Sequence, residues 1–253
     1  MNIRSCAFVI VVSFAALGIE ANATTWAPKK VVCPLCKTEN TFMEIMSYGT
    51  YIYSWPEKFQ YIFWPLTDKN VLYSCKKCRL TAFMWDFGDL PSDKLPAIKR
   101  ELEGAAVKPY EGPYSEVPMS ARLQIAEKVY AVLGKDDSFW CQFYRVQGYH
   151  LEEEKRDPDA VAARGKALEI CRRLLAAPEN AGVRKQLLLI SGAMRYFSND
   201  NEGALKDLRE AVTLKYQNPK LEPEQAANID QYLSALLKEY IARIEGGVKP
   251  ANR

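Results

Sequence analysis

The sequence predicts an α+β fold in which a small β module with four cysteines precedes an all-α domain. Two C-x-x-C pairs, Cys33–Cys36 and Cys75–Cys78, each follow a short strand-like run. Prolines and glycines are dense over residues 91–118. Beyond Ser120, apolar residues recur with the 3.6-residue period of amphipathic helices. These three observations place strands before, and helices after, a boundary near residue 90.

The N-terminal segment has the pattern of a secretory signal peptide. A basic start at Arg4 precedes an apolar stretch from Cys6 to Ile19, and Ala21 and Ala23 fit the small-residue preference of a signal peptidase. The stretch is too short to span a bilayer comfortably. We therefore expect removal of residues 1–23, no membrane span in the mature chain, and an exported protein, periplasmic or secreted. An uncleaved membrane anchor is the alternative.

Residues 24–90 form the predicted four-cysteine module. Aromatic and β-branched runs at 31–32 and 70–74 lead into the cysteine pairs, and similar runs at 50–53 and 60–64 are strand-like. Two C-x-x-C pairs separated by 38 residues suit a zinc ribbon, because each turn brings two sulfurs to one side and two turns complete a tetrahedron. The predicted ligands of a structural zinc ion are Cys33, Cys36, Cys75 and Cys78.

The same cysteines allow two other interpretations. In an oxidising compartment, C-x-x-C pairs can close to structural disulfides. Cys33-Pro34-Leu35-Cys36 also contains the proline of some thiol oxidoreductases, but such motifs usually open a helix, whereas residues 37–41 have the composition of a turn. Zinc is the preferred interpretation. Cys141 and Cys171 fall inside predicted helices and are expected to be buried as small apolar side chains.

Aromatic residues are concentrated between the two cysteine pairs. The functional interpretation is a stacking platform or a partner-binding patch. The preferred alternative is that the large rings fill a thin core and pack on the helices. A net charge of +3 argues against nucleic acid, and so does the lack of arginines among these rings, where the basic residues are Lys58 and Lys69. The candidate binding residues are Tyr51, Tyr53, Trp55, Tyr61 and Trp64.

The C-terminal part is predicted to be a tetratricopeptide-like helical domain over residues 119–246. It follows a Pro/Gly-rich linker at 91–118 and precedes a flexible tail at 247–253. Gly148 and Ala160 are separated by the same interval as Gly192 and Ala204, which are small-residue positions of tetratricopeptide helix pairs. An irregular helical bundle is the alternative. The expected helices are roughly 119–133, 138–154, 158–176, 179–198, 201–217 and 223–246.

No catalytic residues are predicted. His150, the single histidine, has neither H-E-x-x-H spacing nor a serine or cysteine partner, which favours a structural role. The chain also contains no G-x-S-x-G, P-loop or dinucleotide-binding glycine pattern.

Several of these motifs together resemble a bacterial family, the domain of unknown function 2225. The resemblance rests on Val31–Cys36, Leu72–Cys78, Thr81–Phe83 and Asp86-Phe87. It implies two cysteine knuckles followed by tetratricopeptide-like helices over most of the mature chain, and it implies no activity. This chain departs from the family pattern in three respects. Lys76 and Arg79-Leu80 replace the proline and the glycine-tyrosine of the second knuckle, the segment between the knuckles is aromatic, and an export signal is present.

The leading functional hypothesis is an exported, non-enzymatic protein-binding or scaffold protein with a structural four-cysteine zinc site. Stacked helix pairs would present a groove to a protein or peptide partner. The alternative is a periplasmic thiol redox or zinc-handling protein that uses Cys33 and Cys36.

Overall fold

A computed structural model of the chain describes residues 25–47, 54–105 and 108–247. The predicted signal peptide at 1–23, the strand-like run at 50–53 and nearly all of the predicted tail lie outside these residues. Tyr51 and Tyr53 also lie outside them. No helix in the described part of the chain is both long and apolar enough to cross a membrane.

The β structure consists of two antiparallel hairpins. Strands β1 (Thr25–Val32) and β2 (Glu39–Ser47) pair with Val32 opposite Glu39. Strands β3 (Leu72–Ser74) and β4 (Thr81–Phe83) form the second pair, with Ser74 opposite Thr81. Each C-x-x-C pair lies in the turn between two paired strands, so the prediction that a strand leads into each cysteine pair is confirmed.

The prediction of a strand at 60–64 is wrong. Residues Glu57–Gln60 form a short helix, α1, which ends at Tyr61 in the left-handed conformation with φ of 56°. The amides of Tyr61 and Ile62 donate back to the carbonyls of Lys58 and Glu57. The backbone is therefore hydrogen-bonded within one turn and does not pair with a strand.

The rest of the described chain is mainly helical. Most of the predicted helices begin and end within one residue of an observed helix. The predicted helix at 179–198 is divided into a 3₁₀ turn, Pro178–Val183, and an α-helix. The predicted helix at 201–217 ends early, because the Tyr216 and Gln217 amides donate to Asp230 Oδ1 and to the Gly182 carbonyl. The helices are α2 (Leu95–Gly104), α3 (Met119–Leu133), α4 (Asp137–Glu153), α5 (Asp157–Ala176), α6 (Arg184–Tyr196), α7 (Asn201–Val212) and α8 (Pro223–Glu245).

Local sequence signals account for several helix ends. Asp136 Oδ1 accepts a hydrogen bond from the Phe139 amide at 2.8 Å and caps the start of α4. Asp200 Oδ1 caps α7 in the same way through the Gly203 amide at 2.9 Å. Gly134 ends α3 with φ of 66°, a conformation that glycine adopts without steric cost.

Buried apolar side chains form two main clusters. The first joins the hairpins to α2, α3 and α4, and includes Phe42, Leu72, Ile98 and Leu123. The second lies among α4 to α8 and also contains Phe59 of α1. Side chains of the predicted linker at 91–118 belong to the first cluster, since Ile98, Leu102 and Tyr114 are buried in it. The division into separate modules stays a prediction.

Two glycines allow consecutive helices to approach closely. A Cβ atom on Gly148 in α4 would lie 3.3 Å from the Ala160 carbonyl oxygen in α5. A Cβ atom on Gly192 in α6 would lie 3.2 Å from the Ala204 carbonyl oxygen in α7. The repeated interval therefore marks the same contact in the α4–α5 and α6–α7 pairs. That these pairs are tetratricopeptide repeats stays a prediction.

We expect Gly192→Ala to destabilise the chain. The added methyl would lie 2.8 Å from Leu208 Cγ, and such overpacking costs roughly 1–3 kcal/mol. Gly165→Ala is the matched control, because nothing lies within 4 Å of its Cβ position in α5. That change should stabilise the chain by about 0.5–1 kcal/mol through helix propensity. Urea denaturation of both variants measures the difference, and equal stabilities would contradict the proposed close contact.

Candidate metal centre

The two cysteine turns have the same backbone hydrogen bonds. The Cys33 amide donates to the Thr38 carbonyl at 2.9 Å, and the Lys37 amide donates to the Cys33 carbonyl at 3.0 Å. In the second turn, the Cys75 amide donates to the Leu80 carbonyl and the Arg79 amide to the Cys75 carbonyl. Lys37 and Arg79 are both left-handed, with φ of 62° and 61°. The two turns are therefore equivalent knuckles at the tips of two hairpins.

These knuckles bring the four predicted ligands together. The Sγ atoms of Cys33, Cys36, Cys75 and Cys78 all lie within 4.8 Å of one another. Two sulfur pairs across the knuckles are closer, at 3.6 Å for Cys33–Cys78 and 3.5 Å for Cys36–Cys75. Tetrahedral zinc with Zn–S bonds of about 2.3 Å requires sulfurs about 3.8 Å apart. The cysteines are thus close enough to hold a metal ion, and their spacing is consistent with zinc.

Hydrogen bonds among the crowded thiols shift the pKa values of Cys33, Cys75 and Cys78 in different directions. Hydrogen bonds from Cys33 and Cys78 lower the pKa of the Cys75 thiol. Donation to Cys75 raises the pKa of Cys33 to about 12, and hydrogen bonds to Cys33 and Cys75 raise the pKa of Cys78. A cation at the centre would provide positive charge that stabilises the thiolate form of the cysteines.

Asn40 is a residue of this centre that the sequence analysis missed. It is 3% exposed, and its side-chain amide contacts both knuckles. The signal that could have identified it is the alternation along β2, where Asn40 and Phe42 are buried while Glu39 and Thr41 are exposed. A polar residue in the buried register of a strand requires hydrogen-bond partners.

The segment 108–110 packs against the second knuckle. The Tyr110 amide donates to the Lys76 carbonyl at 3.1 Å, and the Tyr110 hydroxyl donates to the Ser74 carbonyl. The Arg79 guanidinium lies 5.1 Å from the centre of the Tyr110 ring and donates to the Lys108 carbonyl at 3.0 Å. Arg79 therefore connects the knuckle to this segment.

The candidate binding aromatics do not form one patch among the described residues. Trp55 packs against the end of α6 and against α8, with ring centroids 5.3 Å from Phe197 and 5.6 Å from Tyr240. Trp64 instead contacts Trp26 of β1 at 5.8 Å. Tyr61 is partly buried against the second core cluster. Their role in binding a partner stays a prediction.

Helix α1 is held against α4, α5 and α8 by apolar and polar contacts. Phe59 is fully buried and stacks on Tyr240 with ring centroids 4.1 Å apart. Arg145 Nη1 donates to the carbonyls of Gln60 and Tyr61 at 3.0 and 2.7 Å. Arg164 Nε donates to Gln60 Oε1 at 3.1 Å. At Phe59 and Gln60, the segment between the knuckles is part of the core.

His150 and the two helical cysteines have hydrogen-bond partners outside the four-cysteine cluster. His150 Nε2 lies 2.9 Å from the Leu66 carbonyl oxygen, and because a carbonyl can only accept, Nε2 carries the proton. Burial lowers the pKa of His150 to about 4, so the ring is neutral at pH 7. Cys141 and Cys171 are buried, as predicted, and their thiols donate to the Ala167 and Leu187 carbonyls.

Comparison of the chain with protein-family models, with curated proteins and with solved structures finds no match. The resemblance to the domain of unknown function 2225 family therefore stays a prediction. Inferences about the centre rest on the residues and distances of this chain.

We expect Phe59→Ala to destabilise the chain strongly, because it removes a fully buried ring. Truncation of a buried phenylalanine typically costs about 3–5 kcal/mol. Trp85→Ala is the control, since Trp85 is 48% exposed, and its truncation should cost less than about 1 kcal/mol. Thermal and urea denaturation measure both effects. A loss at Phe59 no larger than at Trp85 would contradict the assignment of this segment to the core.

His150 should make stability depend on pH. Its pKa falls from 6.5 to about 4 on folding, so the unfolded chain binds the proton more readily. The stability that neutral His150 contributes is complete above about pH 6.5 and decreases toward pH 4, by up to about 3 kcal/mol. His150→Gln retains an N–H donor for the Leu66 carbonyl but cannot titrate. Urea denaturation between pH 4 and pH 7 should show a flatter profile for this variant, and identical profiles would refute the assignment.

Proposed function

We propose that this chain is an exported, non-enzymatic protein-binding or scaffold protein in which Cys33, Cys36, Cys75 and Cys78 hold one structural zinc ion. The observation that carries the proposal is the convergence of the four sulfurs within 4.8 Å at the tips of two hairpins. Four thiolates form a closed zinc site, which leaves no coordination position for substrate or water. The role of such an ion is to stabilise the fold.

The hairpins themselves give a reason for a structural ion. The second hairpin has strands of three residues each, and an isolated two-stranded hairpin is marginally stable in water. A metal ion bound by sulfurs from both hairpins would hold them together, and its binding free energy would contribute directly to folding. The fully buried Cys33 and Cys75 would lie on the core side of that ion.

The thiol redox alternative requires Cys33 and Cys36 to react as a separate pair. Cys33 instead lies 3.6 Å from Cys78, and Cys36 lies 3.5 Å from Cys75. Every sulfur thus has a near neighbour on the other knuckle. This arrangement supports one shared four-sulfur centre over an independent redox motif.

The scaffold part of the proposal rests on the helical domain. The α4–α5 and α6–α7 pairs repeat one glycine-to-carbonyl contact, as expected of tetratricopeptide-like units that present a surface to a protein or peptide. Trp55 and Phe59 of the same chain pack on Tyr240 of α8. The proposal of export rests on the basic and apolar pattern of residues 1–23.

The metal content and free-thiol count of the purified full chain test the zinc site. We expect about one zinc per chain, with four thiols protected until a chelator removes the metal. Cys75→Ser should lose the zinc and lower the melting temperature, whereas Cys141→Ala, which removes a thiol outside the centre, should retain the zinc. Circular dichroism should show that Cys75→Ser keeps most of its helix. A metal-free wild type with disulfide-bonded cysteines would refute the structural zinc site.

Selection of peptides from a display library by the zinc-loaded chain tests the binding role. Enrichment of one sequence motif, followed by saturable binding of that peptide in solution, would support a protein or peptide partner. Absence of any enriched motif would count against a peptide-binding groove but would leave the zinc site unaffected.

A further inference from the structure

The side chain of Asn40 is hydrogen-bonded to both knuckles of the metal centre. Its Nδ2 atom donates to the Thr38 carbonyl at 2.9 Å in the first knuckle. The same atom donates to Cys75 Sγ at 3.6 Å in the second knuckle. Its Oδ1 atom accepts from the Lys76 amide at 2.9 Å. One buried amide thus connects β2 with the ligand turn of the opposite hairpin.

We propose that Asn40 is a positioning residue that aligns the second knuckle with the first and thereby raises the zinc affinity of the centre. This inference rests on the proposed zinc site. Asn40 is not a metal ligand, and it acts through Cys75 and the backbone of Lys76. Residues that orient metal ligands typically change metal affinity by roughly 10–100-fold when they are replaced.

The identity of residue 76 supports this role. The knuckles are equivalent, so Lys76 occupies the position that Pro34 occupies in the first knuckle. A proline there would have no amide hydrogen to donate to Asn40. The Lys76 side chain is exposed. The feature of Lys76 that the centre uses is therefore its backbone N–H and not its positive charge.

The hydrogen bond to sulfur gives Asn40 a second effect. A neutral N–H donor stabilises negative charge on Cys75 Sγ and restricts the direction of that sulfur. Because the amide oxygen is held by Lys76 and the nitrogen is shared with Thr38, the donor cannot rotate freely. In the first knuckle, Cys36 Sγ instead donates to the Thr38 hydroxyl of the same turn, at 3.3 Å.

The test compares Asn40→Ala, Lys76→Pro and Lys76→Ala in the full chain. Competition with a chromophoric chelator measures zinc affinity, and the visible spectrum of the Co²⁺-loaded protein reports the geometry of the four sulfurs. Asn40→Ala and Lys76→Pro should each weaken zinc binding by roughly 10–100-fold. Lys76→Ala retains the N–H and should stay within about twofold of the wild type.

The double variant Asn40→Ala with Lys76→Pro provides a further check. If the two residues act through one hydrogen bond, its loss of affinity should be close to that of the larger single variant. Should Asn40→Ala fail to fold, Lys76→Pro decides the question, because it leaves the Asn40 side chain and all four ligands in place. Circular dichroism on each zinc-loaded variant establishes folding.

Three negative results are distinguishable. Wild-type zinc affinity and an unchanged Co²⁺ spectrum in both Asn40→Ala and Lys76→Pro would overturn the positioning role while the zinc site remains. Absence of zinc and Co²⁺ binding by the wild type would instead refute the proposed function, and the positioning role with it. Equal weakening by Lys76→Pro and Lys76→Ala would also contradict the proposal, because it would assign the effect to the lysine side chain.

Discussion

The arrangement of the N-terminal part depends on the meeting of two cysteine knuckles. Each hairpin has two strands, and a pair of this size gains little from its own ladder. The sulfurs of Cys33 and Cys78 approach to 3.6 Å, which requires the knuckles to face each other. Phe42 of the first hairpin and Tyr73 of the second stack with centroids 4.2 Å apart. The four-cysteine cluster and this ring pair thus lie between the same two hairpins.

The segment between the knuckles contacts the rest of the chain at Phe59 as well as at the two cysteine pairs that flank it. Its 38 residues begin at one knuckle and end at the other, while Phe59 lies in the helical core. Arg145 satisfies the carbonyls of Gln60 and Tyr61, which a turn would otherwise leave without a backbone partner. The four-cysteine cluster and the helices therefore each hold described residues of this segment.

Features with a strong local signal could be predicted from the sequence, and those that depend on distant contacts could not. Cysteine spacing identified the four sulfurs, and the helical period identified α3 almost to the residue. The aromatic run at 60–64 has strand-like composition, but its conformation involves Arg145, which is 84 residues beyond Tyr61. The alternation along β2 indicates that Asn40 is buried, but it does not predict the partner of its side-chain oxygen, which is a backbone amide 36 residues away.

Three residues connect the second knuckle to its surroundings. Arg79 adopts a left-handed conformation, which costs a non-glycine residue about 1 kcal/mol. Its guanidinium offsets this cost through Tyr110 and the Lys108 carbonyl. Leu80 is fully buried in the core. Lys76 supplies an amide hydrogen that proline would lack. Arg79, Leu80 and Lys76 thus connect this knuckle to segment 108–110, to the core and to the first hairpin.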